Sequence, residues 1–189
     1  MIVTAVILGG LLVGLAVVYF VLPRWLTTPA APAEQTATTT APAGDVRRLV
    51  ATLYYVSADG TSLTPTTHEV PFAASPSDQA RSILSAQLAA APEGALSAIP
   101  AGVTLRGVYL TTRGDAYVDL SHEIITGHPG GSLNETLTVY TIVNALTQNV
   151  REITAVQILV DGKQVETLAG HIDLRQPLAA APRWVQKGP

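Results

Sequence analysis

Histidine and carboxylate side chains come together in the segment before the longest predicted helix. This segment holds His122, Glu123 and His128, and Asp119 lies just upstream. Imidazole and carboxylate groups bind zinc, which can activate water for hydrolysis, but the ligand spacing typical of zinc sites is missing. Asp119 and Ser121 are better explained as strand-ending residues that bond local backbone groups. We therefore predict no metal site, and a metal-dependent hydrolase using Asp119, His122 and His128 is the less favoured alternative.

The other common catalytic constellations are also missing from the sequence. It contains no cysteine, which excludes a thiol nucleophile, a disulfide scaffold, a cysteine zinc site and a lipid-modified cysteine. The Gly-x-Ser-x-Gly motif of serine hydrolases and glycine-rich phosphate loops are absent. The net charge is −3 and no basic cluster is found, so we expect no nucleic-acid partner. We predict no catalytic residue and no cofactor.

A long helix is predicted to follow the histidine-containing segment. Ser132 and Glu135 match the Ser-x-x-Glu capping box, in which each side chain bonds the other residue's backbone amide. Apolar residues then recur at helical spacing. Leu133, Leu137 and Tyr140 form a second apolar row, so the stripe is wider than packing on one sheet face usually needs. We predict that this second row is an uncovered surface that binds a partner.

The remaining elements are predicted as strands, hairpins and one further helix. Asp161 and Gly162 form a two-residue hairpin signal after a buried strand, and Lys163 begins a return strand over residues 163–168. Ser75 and Pro76 open the other helix as its cap and first position. Further strands are expected at residues 49–57, 63–72, 103–112 and 115–120. The order β-β-α-β-β-α-β-β predicts an α+β fold, with a single mixed β-sheet and two helices packed on one face.

An uncharged apolar run at residues 2–22 precedes the predicted domain. As a helix it spans about 31 Å, which matches a bilayer core of about 30 Å, and we predict a transmembrane helix that contacts membrane lipid. A cleaved signal peptide is the alternative, but the run is longer than a usual signal core. Residues 23–45 form a Thr/Ala/Pro-rich linker, residues 46–178 the folded domain and residues 179–189 a flexible C-terminal tail.

Motifs spread through the domain resemble the GerMN domain family over about residues 50–178. They are Tyr117-Val118-Asp119-Leu120-Ser121, Gly131-Ser132, Val139-Tyr140-x-Ile142-Val143-Asn144, Val156-Gln157-Ile158-Leu159-Val160-Asp161-Gly162-Lys163 and Glu166-Thr167-Leu168-x-Gly170-His171-Ile172-Asp173. The resemblance implies an extracytoplasmic α/β domain behind a membrane or lipid anchor, similar to ring-building modules of secretion and sporulation assemblies. It implies no established catalytic activity. The domain is present here as a single copy.

These expectations combine into one functional hypothesis. The chain is predicted to be a single-pass protein of the cell membrane, with its folded domain on the extracytoplasmic side. The domain is expected to be a non-catalytic interaction or assembly module that associates with itself or with another protein. An envelope ligand-binding domain, associated with peptidoglycan, is the alternative.

Overall fold

The computed structural model describes residues 47–186. The predicted transmembrane helix at residues 2–22 and the linker at residues 23–45 lie outside the described residues. Among residues 47–186, no helix has the length and apolar character needed to cross a bilayer.

The strands and helices follow the predicted order as far as the fifth strand, apart from one short extra helix before the long one. The chain forms β1 (Arg48–Val56), β2 (Leu63–Pro71), α1 (Pro76–Leu88), β3 (Leu105–Leu110), β4 (Asp115–Leu120), α2 (Glu123–Thr126), α3 (Ser132–Asn149), β5 (Ala155–Val160), β6 (Lys163–Gln164), β7 (Leu178–Ala179) and a 3₁₀ turn at Pro182–Trp184. The α+β class is confirmed. Helix α2 was not predicted, because four residues are too few to show a helical period.

The strands form two sheets, so the prediction of a single sheet is wrong. Within residues 47–186, β1 and β2 form an antiparallel two-stranded sheet of their own, and Val56 and Leu63 each make one isolated bridge to a segment outside the strands. The second sheet has the order β3-β4-β5-β6, with β7 pairing β5, and the β4–β5 pair is parallel across helix α3. Strand β6 contains only Lys163–Gln164, because the chain leaves the sheet there instead of continuing to residue 168.

Two carboxamide side chains cover the outer edge of β1 at Thr52 and Tyr54, so no third strand can pair at these two positions. The Tyr54 N–H donates to Gln87 Oε1, and Gln87 Nε2 donates to the Tyr54 carbonyl, both at 2.9 Å. Asn149 pairs with Thr52 in the same way. The Thr52 N–H donates to Asn149 Oδ1 at 2.8 Å, and Asn149 Nδ2 donates to the Thr52 carbonyl at 2.7 Å. Each amide therefore imitates the two hydrogen bonds of a neighbouring strand.

Helices α1 and α3 pack against each other, and together they connect the two sheets. Helix α1 contacts β1, β2 and β3, while α3 contacts β1 and β5. Every residue of α3 from Glu135 to Leu146 is buried. The expected uncovered row on this helix is thus mostly absent: Leu137 is 2% and Tyr140 9% exposed, and only Leu133, at 37%, reaches solvent.

The predicted helix and turn signals have mixed outcomes. Ser75 caps α1 and accepts a hydrogen bond from the Asp78 N–H at 3.4 Å, as expected. The capping box at Ser132 is wrong, because Gly131 with φ 87° is the cap residue and makes no side-chain cap bond. Asp161 and Gly162 have φ of 50° and 74°, as a type I′ hairpin turn requires.

The C-terminal segment packs on the domain as far as residue 186, so the expected flexible tail is wrong for residues 179–186. The Ala181 N–H donates to Asn144 Oδ1 at 3.0 Å. The Gln186 N–H donates to the Leu63 carbonyl at 2.8 Å, and Val185 bridges Leu63 in parallel. Val185 and Gln186 therefore pair with the first residue of β2.

The edge-covering role of Gln87 can be tested by replacing it with methionine, which keeps the size but removes both polar atoms. The Q87M substitution leaves a buried N–H and a buried carbonyl of Tyr54 without partners, so we expect a loss of about 2–4 kcal/mol in the free energy of unfolding. Urea denaturation measures it. The exposed Gln148 provides the control, and Q148M should change stability by less than about 0.5 kcal/mol. Equal effects of the two substitutions would contradict the assigned role.

Candidate functional site

The carboxyl ends of β4 and β5 lie side by side, and Asp119 is engaged there on both oxygens. Its Oδ1 accepts from the Gly162 N–H at 2.7 Å, and its Oδ2 accepts from Arg106 Nε at 3.3 Å. Ser121 Oγ accepts from the Thr104 N–H at 2.9 Å. Asp119 and Ser121 therefore bind backbone groups, but the prediction of local partners is wrong, because Gly162 and Thr104 are 43 and 17 residues away in sequence.

The structure does not assemble the residues of the alternative metal site. His122 Nδ1 lies 3.8 Å from Asp161 Oδ2, while His128 bonds residues of the α3 region. Within residues 47–186, no three His, Asp or Glu side chains are placed to hold a metal ion. Asp119, His122 and His128 are therefore not gathered into such a group among these residues.

Glu135 organises the loop between β6 and β7, a role that the sequence does not reveal. Its side chain is fully buried. One carboxylate oxygen accepts from the Leu168 N–H at 2.8 Å. The other accepts from the His171 N–H at 2.8 Å and lies 3.1 Å from His171 Nδ1. The carboxylate thus binds the loop instead of the start of its own helix, which explains why no capping box forms.

The environment of Glu135 keeps its carboxyl group ionised. Burial on its own raises the pKa of Glu135, but the backbone amides of Ala169, Leu168, His171 and Ile172 together lower it below the ordinary value. A carboxylate held by several amides can stay charged without a cationic partner. Glu135 is therefore an anion that fixes a loop and has no proton to donate near neutral pH.

His128 is held as a neutral ring beside Glu135. Its Nδ1 accepts from the Gly130 N–H at 2.9 Å, so the hydrogen resides on Nε2, 3.2 Å from Thr138 Oγ1. Thr138 in turn donates to the Ala98 carbonyl at 2.7 Å. Burial lowers the pKa of His128, and the attraction of Glu135 only partly opposes this effect. Both ring nitrogens are used in positioning the entry to α3.

The other motif residues have separate structural positions. Asn144 holds the C-terminal segment through Ala181, and Ser132 begins α3. Lys163 is exposed in β6. Gly170, with φ 92°, permits the turn between Leu168 and His171, whose N–H groups donate to Glu135. These residues do not converge on one site.

A cleft of about 590 Å³ opens at the carboxyl end of α3. It is lined by Leu49, residues 72–74, Pro76, Gln79 and residues 147–152. Sequence reasoning missed this cleft, and it also missed the pairing of Gln87 and Asn149 with the edge of β1. The available signal was Gln87 itself, a polar residue on the same helical face as Ile83 and Leu84.

The geometry defines the chain as an α+β domain whose buried polar groups serve the fold. A family model described as "Germane: Sporulation and spore germination" matches residues 52–166. The chain belongs to this family of GerMN-like domains, which confirms the resemblance seen in the motifs. No curated protein matches the chain by sequence.

Solved GerMN domains have a similar fold. The first GerMN domain of the sporulation protein GerM from Bacillus subtilis aligns at 23% identity with a TM-score of 0.55, over 69% of this chain and 97% of that one. The tandem GerMN domains of the same protein align at 20% identity and a TM-score of 0.55, over 70% of this chain and 46% of that one. The chain thus spans about half of the tandem structure.

We expect the carboxylate of Glu135 to be required for order in residues 166–174. In E135Q, an amide nitrogen meets backbone N–H donors, and the charge-assisted hydrogen bonds are lost, so stability should fall by about 3 kcal/mol. Hydrogen exchange should be accelerated at Leu168 and His171 before global unfolding. The exposed Glu93 supplies the control variant E93Q. Unchanged protection in E135Q would show that the carboxylate does not hold the loop.

The lowered pKa of His128 gives the domain a pH dependence with a definite sign. Unfolded His128 binds a proton near its ordinary pKa of about 6.5, whereas the folded residue does so only at lower pH. The free energy of unfolding should therefore decrease as the pH falls below about 6.5. Glu135, whose pKa is also lowered, contributes a further loss only below its unfolded pKa of about 4.3.

Denaturation at about pH 7.5 and about pH 5.5 isolates the contribution of His128. The H128N variant should lose less stability than the wild type between these two values, because asparagine does not titrate. H122N, which alters an exposed histidine, should retain the wild-type difference. A wild-type difference that persists in H128N would assign the effect to another group.

Proposed function

We propose that this protein is a non-catalytic, membrane-anchored module of the cell envelope that binds another protein on the extracytoplasmic side. The observation that carries the proposal is the match to the sporulation and spore germination family over residues 52–166. The similar solved domains belong to a sporulation protein. A role in assembly, through self-association or a different partner, is part of the proposal.

The bonding of the polar side chains supports a role without catalysis. The candidates for acid–base chemistry are Glu135, His128 and Asp119, and each has its polar atoms bonded to backbone groups or fixed side chains. A catalytic base needs a free lone pair directed at a substrate. Their bonding leaves them suited to holding loops and strand ends in place.

Exposed apolar side chains support the interaction part of the proposal. Val50 in β1 is 66% exposed, and Phe72, directly after β2, is 40% exposed. Phe72 and Leu49, the neighbour of Val50, line the cleft at the end of α3. Exposed apolar groups next to a cleft are typical of protein-binding surfaces. They replace the row at Leu133, Leu137 and Tyr140 as the candidate surface.

The apolar run at residues 2–22 supports membrane anchoring. It has the length of a bilayer-spanning helix and carries no charge. The Thr/Ala/Pro-rich linker behind it provides reach between a membrane and a folded domain. The extracytoplasmic side is favoured by the composition of this linker and by the family's association with sporulation.

The proposed orientation can be tested with a single introduced cysteine, because the natural chain contains none. The E93C variant places a thiol at an exposed loop position of the domain. In intact cells, a membrane-impermeant maleimide should label E93C fully and leave the cysteine-free parent unlabelled. Labelling only after permeabilisation would place the domain in the cytoplasm and would overturn the proposed location.

The proposed binding role is tested by proximity labelling of the full-length chain in its native membrane. We expect a small set of envelope proteins, or the chain itself, to be captured reproducibly. Sedimentation with purified cell wall examines the alternative, an envelope ligand-binding domain. Co-sedimentation without protein capture would favour that alternative, and the absence of both would contradict the module role.

A further inference from the structure

The outer edge of β1 is closed over one half of the strand and open over the other. The Phe72 N–H donates to the Arg47 carbonyl, and the Ser57 N–H donates to the Ser62 carbonyl. In an antiparallel pair, successive residues direct their backbone groups alternately toward the partner strand and away from it. These two bonds show that the odd-numbered residues of β1 bond β2, so the even-numbered residues direct their backbone groups outward. Outward groups that remain unpaired form a template for another strand.

Along this edge, three successive outward positions are closed by the protein itself. Gln87 bonds Tyr54, Asn149 bonds Thr52, and the Val56 N–H donates to the Leu96 carbonyl at 2.8 Å. The next two outward positions are Val50 and Arg48. Among residues 47–186, the outward N–H and carbonyl groups of Val50 and of Arg48 have no hydrogen-bond partner. The open half therefore begins where the amide of Asn149 ends.

The open half of the edge is beside the 590 Å³ cleft. Leu49, the residue between Arg48 and Val50, lines the cleft together with Val150 and Arg151 from the end of α3. Because side chains alternate along a strand, a peptide paired here would direct every second side chain toward Leu49 and the cleft. The intervening side chains would lie on the exposed face with Val50.

The charges at this edge favour an acidic occupant. Arg47, Arg48 and Arg151 are exposed, and none of them forms an ion pair with another described residue. The nearby acidic groups are Glu69, opposite Val50, and Glu152 in the cleft lining. The patch is net positive on a chain whose net charge is −3. Two such edges from two copies would bring like charges together, which disfavours self-pairing.

We propose that the open edge at Arg48–Val50 binds an extended acidic segment of another protein, which adds one short strand to β1. Backbone groups of Val50 and Arg48 would supply the pairing, and apolar side chains of the segment would enter the cleft. Acidic side chains on the exposed face would meet Arg48, whereas Arg151 lies in the cleft lining and adds to the positive charge of the patch. This inference rests on the proposed function, since it assigns a surface and a partner chemistry to the interaction module.

The direct test uses full-length chain and a fluorescein-labelled hexapeptide of alternating valine and glutamate. Fluorescence anisotropy should show saturable binding of this peptide and at least tenfold weaker binding of the alternating valine and lysine peptide. The V50P substitution removes the outward N–H but no bond to β2, and an edge strand tolerates proline there. We expect V50P to weaken binding about tenfold, and circular dichroism confirms its fold.

A second variant keeps the test valid if V50P does not fold. The double charge reversal R48E/R151E alters only exposed side chains, and it should also weaken binding of the acidic peptide about tenfold. The matched control is K163E, at the opposite end of β5 from the cleft, which should leave binding unchanged. Absence of binding, or equal binding by all variants, would overturn the assignment of this edge.

Two further outcomes separate this inference from the proposed function. If V50P and R48E/R151E capture the same envelope proteins as the parent during proximity labelling, the module role stands and the edge assignment is wrong. If analytical ultracentrifugation shows a dimer that V50P abolishes, the occupant is a second copy and the acidic-segment proposal is overturned. Loss of capture by the edge variants, with K163E unaffected, supports both.

Discussion

The structure depends on how the free edge of a two-stranded sheet is closed by helices. A lone antiparallel hairpin is marginal in water, and its outer edge exposes unpaired backbone groups. Gln87 and Asn149 reduce both problems, because their amides bond the edge at Tyr54 and Thr52 and their helices carry residues of the apolar core. The amides of Gln87 and Asn149 bond β1 where a strand of the second sheet would pair in a single sheet. The described residues therefore form two sheets, which α1 and α3 connect.

The same principle recurs at three other places in the described part of the chain. Glu135 bonds the amides of the loop between β6 and β7, Asn144 holds the C-terminal segment, and Asp119 fixes the turn after β5. Buried polar groups are costly unless they are bonded, and each of these groups is placed against backbone that would otherwise lack a partner. The oxygens of Glu135, Asp119 and Asn144 are therefore occupied in holding the fold together.

Local signals predicted the local elements well. The cap at Ser75, the turn at Asp161 and Gly162, and the long apolar helix are all set by residues within a few positions of one another. The number of sheets was not predictable in this way, because it depends on contacts between distant parts of the sequence. Tyr54 and Gln87 are separated by 33 positions, and Thr52 and Asn149 by 97. A period-based reading of the sequence cannot show which strand edge a glutamine will cover.

The misassigned role of Glu135 has the same origin. Ser132 and Glu135 have the spacing of a capping box, and local geometry alone would allow it. The loop near His171 offers several amides to the same carboxylate, and these outweigh the single amide of Ser132. The prediction of an exposed row on α3 was wrong for a related reason. Other elements cover this helix on nearly every side. The width of the apolar stripe indicated that the helix needed more cover, but it did not show which elements provide that cover.

The long separation between Thr52 and Asn149 has a consequence for biogenesis. At roughly 5–20 residues per second, about 5–20 s pass between synthesis of the first hairpin and of the asparagine that closes its edge. During that interval the nascent hairpin presents an unsatisfied strand, the feature most prone to intermolecular mispairing. If the domain crosses a membrane behind an amino-terminal anchor, as proposed above, the hairpin emerges before Asn149 and would meet this hazard on the far side.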